Sequence, residues 1–294
     1  MNQVGFVGLG IMGYHMASNL KKAGYEVLAY DIVPEAVKRA EAVGCKGASI
    51  KEITEHCSDI ITMLPNGPHV KSVVLGKGGI AETAREDTLI IDMSSIAPGV
   101  SKELKTALEP KQIHIVDAPV SGGEPKAEDR SLAIMVGGEE ADFNRAKPYF
   151  DVLGSSAVLI GPIGSGNTCK LTNQMIVAVN IAVLAEGLQL AVRAGADAEK
   201  VFEAIRGGLA GSTVMNAKAP MMLAGNYKPG FKIDLHIKDL TNALDTGHAT
   251  HTPMPLTAEV MQMMQVLTAD GCGQEDHSAL MKFYQKLTGT EVRA

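Results

Sequence analysis

The chain has 294 residues, 46% of them hydrophobic and 20% charged, with a formal net charge of −6. That length suits one large domain or two ordinary ones, and the balance is that of a folded chain rather than a disordered one. An acidic chain with no Lys/Arg block excludes a nucleic-acid face and a basic membrane-surface patch. Trp is absent and aromatics are scarce, so the cores are aliphatic. Cys45, Cys57, Cys169 and Cys272 make no C-x-x-C pair, which fits a reducing compartment and argues against a zinc ribbon or a disulfide scaffold. The N-terminus shows no basic leader or cleavage pattern, so a cytoplasmic protein is expected.

Residues 3–8 form an apolar run that enters Gly8-x-Gly10-x-x-Gly13, and helical periodicity follows over 12–23. In a strand–turn–helix unit Gly8 permits the tight turn, and Gly10 lets a pyrophosphate approach the backbone. Gly13 lets helix and strand pack closely, and the helix N-terminus presents free N–H groups. Gly8, Leu9, Gly10, Ile11, Met12 and Gly13 are therefore candidate cofactor residues. A lone glycine triplet is weak evidence, but an acid, Asp31, stands 18 residues beyond Gly13, at the end of the next apolar run over 26–30. A carboxylate there accepts hydrogen bonds from a ribose 2′-OH and repels a 2′-phosphate. With Ile32 next to it, the expected cofactor is NAD, with NADP as the alternative. Asp31 can also cap the helix that starts at Pro34.

Further apolar runs lie over 59–64, 88–93, 114–118, 132–136 and 157–160, with amphipathic stretches such as 34–43 and 100–108 between strands. This alternation predicts an α/β fold with a parallel, doubly wound sheet of Rossmann type. Ligands on such sheets bind at the carboxyl ends of the strands. Leu64, Pro65, Asn66, Ser94 and Ser95 stand at such ends, beside the glycine turn and Asp31. The run at 114–118 leads into Asp117-Ala-Pro-Val-Ser121-Gly122-Gly123. A Ser-Gly-Gly turn with open N–H groups can hold a small carboxylate, or it is an ordinary loop.

After residues 161–166 the periodicity becomes helical and strands disappear. We place a nucleotide domain over 1–163 and an all-helical substrate and oligomerisation domain over 164–294, connected by a long helix. That helix is expected over 168–194, about 40 Å at 1.5 Å per residue. Others follow over 198–207, 214–224, 235–246, 256–270 and 278–288. The apolar stretch 175–192 is interrupted by Asn180, Glu186 and Gln189, which argues against a membrane span. Its apolar faces call for more cover than one small domain supplies, so a homo-oligomer, dimer or tetramer, is expected through the helical domain.

Lys170, Asn173 and Gln174 share a face in the first turns of the long helix. A helix start disfavours a cation, which eases proton release, so Lys170 is a candidate proton donor to a carbonyl oxygen. The plain alternative is a solvated lysine. Cys169 reads as a small buried thiol in preference to a nucleophile. His236 has no partner at metal-ligand spacing, and His248-x-x-His251 lacks a third ligand, so no metal is expected.

Four segments together resemble the β-hydroxyacid dehydrogenase family over nearly the whole chain. They are 5–13 with Met16-Ala-Ser-Asn-Leu20, Asp117–Gly123, Gly164-x-Gly166-x-x-x-Lys170, and His236-Ile-Lys238-Asp239. The resemblance implies Lys170 as catalytic acid/base and Ser121, Gly122 and Gly123 at a substrate carboxylate. It also implies Ser95 and Lys238 at the cofactor, and Asn173 and Gln174 at the substrate. Gln174 stands where many members carry a second Asn, which leaves open which amide touches substrate. The stretches 121–127, 204–213 and 231–239 resemble the members that reduce tartronate semialdehyde. The implied reaction is NADH-dependent reduction of that small carboxylate-bearing aldehyde to D-glycerate. Two alternatives stay open. One is oxidation of another 3-hydroxy acid, such as 3-hydroxyisobutyrate or a 2-(hydroxymethyl) dicarboxylate; the other is a non-catalytic NAD-sensing module.

Overall fold

The computed structural model describes residues 3–293. The chain packs as two compact units, Met1–Lys170 and Leu171–Ala294. The first unit opens with strand β1 (Gln3–Val7), helix α1 (Ile11–Lys22), β2 (Glu26–Tyr30), α2 (Pro34–Glu41), the two-residue β3 (Lys46–Gly47) and α3 (Ile50–His56). It continues through β4 (Asp59–Thr62), α4 (Gly67–Leu75), α5 (Ile80–Thr83), β5 (Leu89–Asp92), α6 (Pro98–Leu108) and β6 (His114–Asp117). Then come β7 (Val120–Ser121), α7 (Gly123–Glu128), β8 (Leu132–Gly137), α8 (Glu140–Leu153) and β9 (Gly154–Gly161). Helix α9 (Ser165–Arg193) begins in this unit.

The sheet order is β3-β2-β1-β4-β5-β6-β8-β7, with β9 beside β8. Strands β1 to β6 are all parallel, and their order is that of the doubly wound dinucleotide fold. β8 departs from the expected parallel sheet: it runs antiparallel to β6 and β7, and β9 is parallel to β8. The reason lies in the connection. A parallel return needs a crossover that retraverses the strand length, and between β6 and β8 the chain has only β7 and the six-residue α7.

Alternation within the strands sends neighbouring residues to opposite faces. Phe6, Ile61, Ile91 and Val116 pack with Met16 and Leu20 of α1 and Tyr149 and Phe150 of α8. Val7, Ile60, Ile90 and Ile115 pack with Ile53, Val70, Val74, Ile80, Leu104 and Leu108 on the other face. Both faces are covered, which is why these strands read as continuous apolar runs.

The second unit is helical: the rest of α9, α10 (Ala198–Ile205), α11 (Thr213–Ala224), α12 (Ile233–Ala249), α13 (Pro255–Ala269) and α14 (Leu280–Thr288). Asp197 caps α10 by accepting from the N–H groups of Glu199 and Lys200, and Ser212 caps α11 by accepting from Met215. Ala178, Ile181, Ala185 and Leu188 of α9 meet Phe202, Met222, Leu240, Met264 and Leu280 in its core.

Candidate active site

The carboxyl ends of the parallel strands gather the expected cofactor residues of the first unit. Gly8 has φ +100°, a region costly for other residues, and a Cβ there would overlap the Met63 carbonyl. A Cβ on Gly13 would overlap the Gly8 carbonyl, so this glycine lets α1 pack against the turn. Gly10 differs. Its φ is −63° and a Cβ would meet nothing within 4 Å. No internal packing asks for a glycine at Gly10, whereas a ligand lying against the backbone would. The first helical hydrogen bond of α1 runs from Tyr14 N–H to Gly10 C=O. The N–H groups of Ile11, Met12 and Gly13 precede it and have no acceptor within the helix. This arrangement fits a pyrophosphate.

Asp31 braces the same turn. Its Oδ2 accepts from Leu9 N–H at 2.6 Å and its Oδ1 from Val33 N–H at 2.9 Å. Each oxygen keeps a lone pair for a ribose hydroxyl. Arg39 donates to the Leu9 carbonyl at 2.9 Å and lies 4.3 Å over the Tyr14 ring. It thereby brings a cation to the loop that the sequence reading did not foresee. Asn66 caps α4 by accepting from Gly67 N–H, and Leu64 N–H donates to Ser94 Oγ at 2.9 Å. The loop of Leu64, Pro65 and Asn66 is thus tied to the loop of Ser94 and Ser95.

Two buried carboxylates underlie these loops, Asp92 and Asp117, directly paired across β5 and β6. Asp92 Oδ1 accepts from Thr62 Oγ1 at 2.8 Å and from Ser94 N–H at 3.2 Å, while Oδ2 has no hydrogen-bond partner. Asp117 accepts from Gly164 N–H and Asn167 N–H, both at 2.6 Å. Burial pushes both carboxyls up to about 6, against the opposing effect of these hydrogen bonds. Asp117 explains why α9 starts at Ser165 rather than at 168: it supplies an acceptor to an N–H that the helix start leaves open.

Lys170 lies in the first turns of α9 and is 7% exposed. Ser121 ends β7, and the two glycines after it have φ +139° and +70°, turning the backbone sharply before α7. A Cβ on Gly122 would overlap the Lys126 side chain. Asn19 of α1 is buried and donates to the carbonyls of Ala127 and Glu128, fastening the far end of α7.

In the second unit, Gln174 Nε2 donates to Asp239 Oδ2 at 2.6 Å, and Asn173 Nδ2 donates to Gln174 Oε1 at 2.9 Å. Lys238 Nζ is 2.8 Å from Asp239 Oδ1. His236 is fully buried. Its Nε2 faces the Gln174 carbonyl at 3.1 Å, and its Nδ1 faces His277 Nδ1 at 2.9 Å. A carbonyl only accepts, so His236 carries a proton on Nε2 and donates it to Gln174. His236 is thus a structural hydrogen-bonding group. No group of three His, Cys, Asp or Glu residues placed to hold a metal occurs among the described residues.

Asp92, Arg39, Asn19 and Asn167 are the residues that sequence reasoning passed over. Asn19 did carry a signal, a polar residue on the apolar face of a helix, whereas Asn167 stands just before the helix expected over 168–194. Arg39 and Asp92 carried none.

Residues 3–161 match the family described as the NAD binding domain of 6-phosphogluconate dehydrogenase. Residues 164–284 match that described as NAD-binding of NADP-dependent 3-hydroxyisobutyrate dehydrogenase. The chain is similar to a 2-hydroxy-3-oxopropionate reductase of Escherichia coli, 40% identical over 95% of this chain and 96% of the relative. It is also similar to a 2-(hydroxymethyl)glutarate dehydrogenase of Eubacterium barkeri, 38% identical over 99% of this chain and 97% of the relative. Among solved structures, a Mycobacterium tuberculosis 3-hydroxyisobutyrate dehydrogenase with L-serine superposes with a TM-score of 0.90. It is 32% identical, over 96% of this chain and 98% of that one.

Two outcomes follow from this geometry. Gly10→Ala is expected to keep the melting temperature within about 2 °C and to weaken NADH binding roughly tenfold or more, whereas Gly13→Ala lowers the melting temperature itself. Calorimetry and fluorescence titration separate the two; equal loss of stability in both variants refutes the distinction. The second outcome concerns pH. Asp92 and Asp117 hold protons in the fold that the unfolded chain releases, so their contribution to stability falls as pH rises from about 4 to about 6. Asp92→Asn is therefore expected to gain stability relative to the parent between pH 5 and pH 7.5. A pH-independent difference in urea midpoints contradicts this.

Proposed function

The chain belongs to the β-hydroxyacid dehydrogenase family of NAD(P)-dependent oxidoreductases, and on that premise we propose that it reduces tartronate semialdehyde (2-hydroxy-3-oxopropionate) to D-glycerate. Bound nicotinamide dinucleotide supplies the hydride for the aldehyde carbon. Lys170 gives a proton to the forming alkoxide. Ser121, Gly122 and Gly123 hold the substrate carboxylate through a hydroxyl and open backbone N–H groups. The same reading assigns Asn173 and Gln174 to the substrate, and Ser95 and Lys238, with the glycine turn and the Leu64–Asn66 loop, to the cofactor. NADH is the preferred donor because Asp31 stands at the end of β2 with Ile32 after it. Arg39 of α2, whose guanidinium reaches the glycine turn at Leu9, favours NADPH as the second donor.

The observation that carries the reading is Lys170, a buried lysine on a helix turn pinned by Asp117, in a chain 40% identical to the Escherichia coli reductase. A non-catalytic NAD-sensing module has no use for it. The second reading is oxidation of another 3-hydroxy acid, favoured by the similarity to the Eubacterium barkeri enzyme and by the M. tuberculosis structure.

Stripe residues of α9 support the proposed oligomer. Ile176, Val183 and Leu190, seven residues apart, are 58%, 59% and 70% exposed and lie along one side of the helix. Length and composition would let α9 cross a membrane, yet its other side is buried in the core of the second unit. A second copy of this chain is the cover we assign to the stripe, in a cytoplasmic enzyme whose cysteines are all free thiols.

NADH and NADPH oxidation followed with tartronate semialdehyde, and with analogues bearing a methyl or carboxyethyl branch in place of the hydroxyl, tests the substrate. The highest kcat/KM is expected for tartronate semialdehyde with NADH; a clear preference for a branched analogue hands the assignment to the second reading. Lys170→Ala is expected to lower kcat by about 10²–10⁴ with NADH binding retained, and near-normal turnover removes Lys170 from the mechanism. Val183→Glu with Leu190→Glu is expected to shift the species seen by light scattering from dimer or tetramer to monomer. An unchanged mass rules out α9 as the interface.

A further inference from the structure

We infer that Asn167 is a positioning residue, holding the turn that carries Lys170 at a set spacing from the Ser95 peptide. The inference rests on the proposed role of Lys170 as proton donor.

Asn167 occupies a position that the Gly164-x-Gly166-x-x-x-Lys170 motif leaves unspecified, yet it is fully buried. Three anchors meet on it. Its backbone N–H donates to Asp117 Oδ2 at the end of β6. Its side-chain Oδ1 accepts from Ile96 N–H at 3.0 Å, in the loop after β5. Its Nδ2 donates to Ser101 Oγ at 3.2 Å, on α6. The Ile96 N–H belongs to the peptide that carries the Ser95 carbonyl, so this bond sets the plane of that peptide. Asn167 and Lys170 are three residues apart on one helix, close to a full turn, and so lie on the same side. The next-door Gly166 packs so closely that a Cβ would overlap the carbonyls of Met135 and Asp117. The turn therefore has little room to relax if Asn167 is lost. An amide that accepts from one side and donates to the other fits both partners, whereas an alanine leaves the Ile96 N–H without its acceptor. A displacement near 1 Å between a proton donor and its target is enough to cost rate on the order of a hundredfold.

Asn167→Ala, Asn167→Asp and Lys170→Ala, compared in the full chain, test this. Asn167→Asp keeps an acceptor for Ile96, and the Ser101 hydroxyl can rotate to donate to the second oxygen. Asn167→Ala is expected to lower kcat roughly tenfold or more and to raise the primary deuterium isotope effect with NADH labelled at the transferred position. It should leave the NADH Kd within about threefold, and Asn167→Asp should recover most of kcat. The inference is overturned if Asn167→Ala keeps kcat within about twofold. It is also overturned if the isotope effect stays unchanged, or if kcat falls only in proportion to NADH affinity. Should Asn167→Ala fail to fold, Ser101→Ala removes one anchor alone and is expected to lower kcat about two- to fivefold with a raised isotope effect; no change overturns the inference. Near-normal turnover in Lys170→Ala defeats the proton-donor reading and this inference with it, whereas an inactive Lys170→Ala beside a normal Asn167→Ala defeats this inference alone.

Discussion

Two hydrogen bonds to one buried carboxylate, from Gly164 and Asn167 to Asp117, join the end of β6 to the start of α9. Much else in the first unit is arranged around them. Gly137 faces Asp117 across the β6–β8 pairing, where a Cβ would overlap the carboxylate. Gly166 is held to a glycine by the Met135 and Asp117 carbonyls. Burying a carboxylate costs free energy unless its oxygens are bonded, and here each oxygen of Asp117 receives a backbone N–H. The neighbouring Asp92 lacks a partner on one oxygen, so of the two it is the better placed to carry a proton.

The three glycines of the fingerprint show how one motif combines separate demands. Gly8 answers a backbone conformation, Gly13 a contact between helix and turn, and Gly10 neither. A residue whose form the fold does not require points outward, to what the chain binds. Ser121, Gly122 and Gly123 follow a related logic, since two successive left-handed residues open the backbone beside a strand end.

Much of this was legible in the chain. The runs that became β1, β2, β4, β5 and β6 stood out because both faces of the sheet are covered, so consecutive residues in the middle of each strand are apolar. The helices from α9 onward stood out by their period. The antiparallel turn of β8 did not, because direction depends on the length of the connection and not on the strand's own residues. The two-residue β3 and β7 are too short to carry a pattern at all. At the candidate site, Lys170, Asp31 and Ser121 are singled out by motif spacing. Arg39 could not, since its contact with Leu9 depends on how α2 lies against the glycine turn.

What the sequence determined by itself is the periodic part: strand and helix order, the glycine turn, the acid at the end of β2, and the lysine in the first turns of the long helix. These are local properties, set by spacing along the chain. The tertiary structure decided which polar side chains brace which loops. Asp92 and Asp117 share a register, Asn167 spans from α9 to the Ser95 loop and α6, and Gln174 is held by Asp239. Such partners lie 65 to 71 residues apart in the chain for the Asn167, Ser101 and Asp239 contacts. No periodicity spans that distance; only burial, which forces each polar atom to find a partner, selects them.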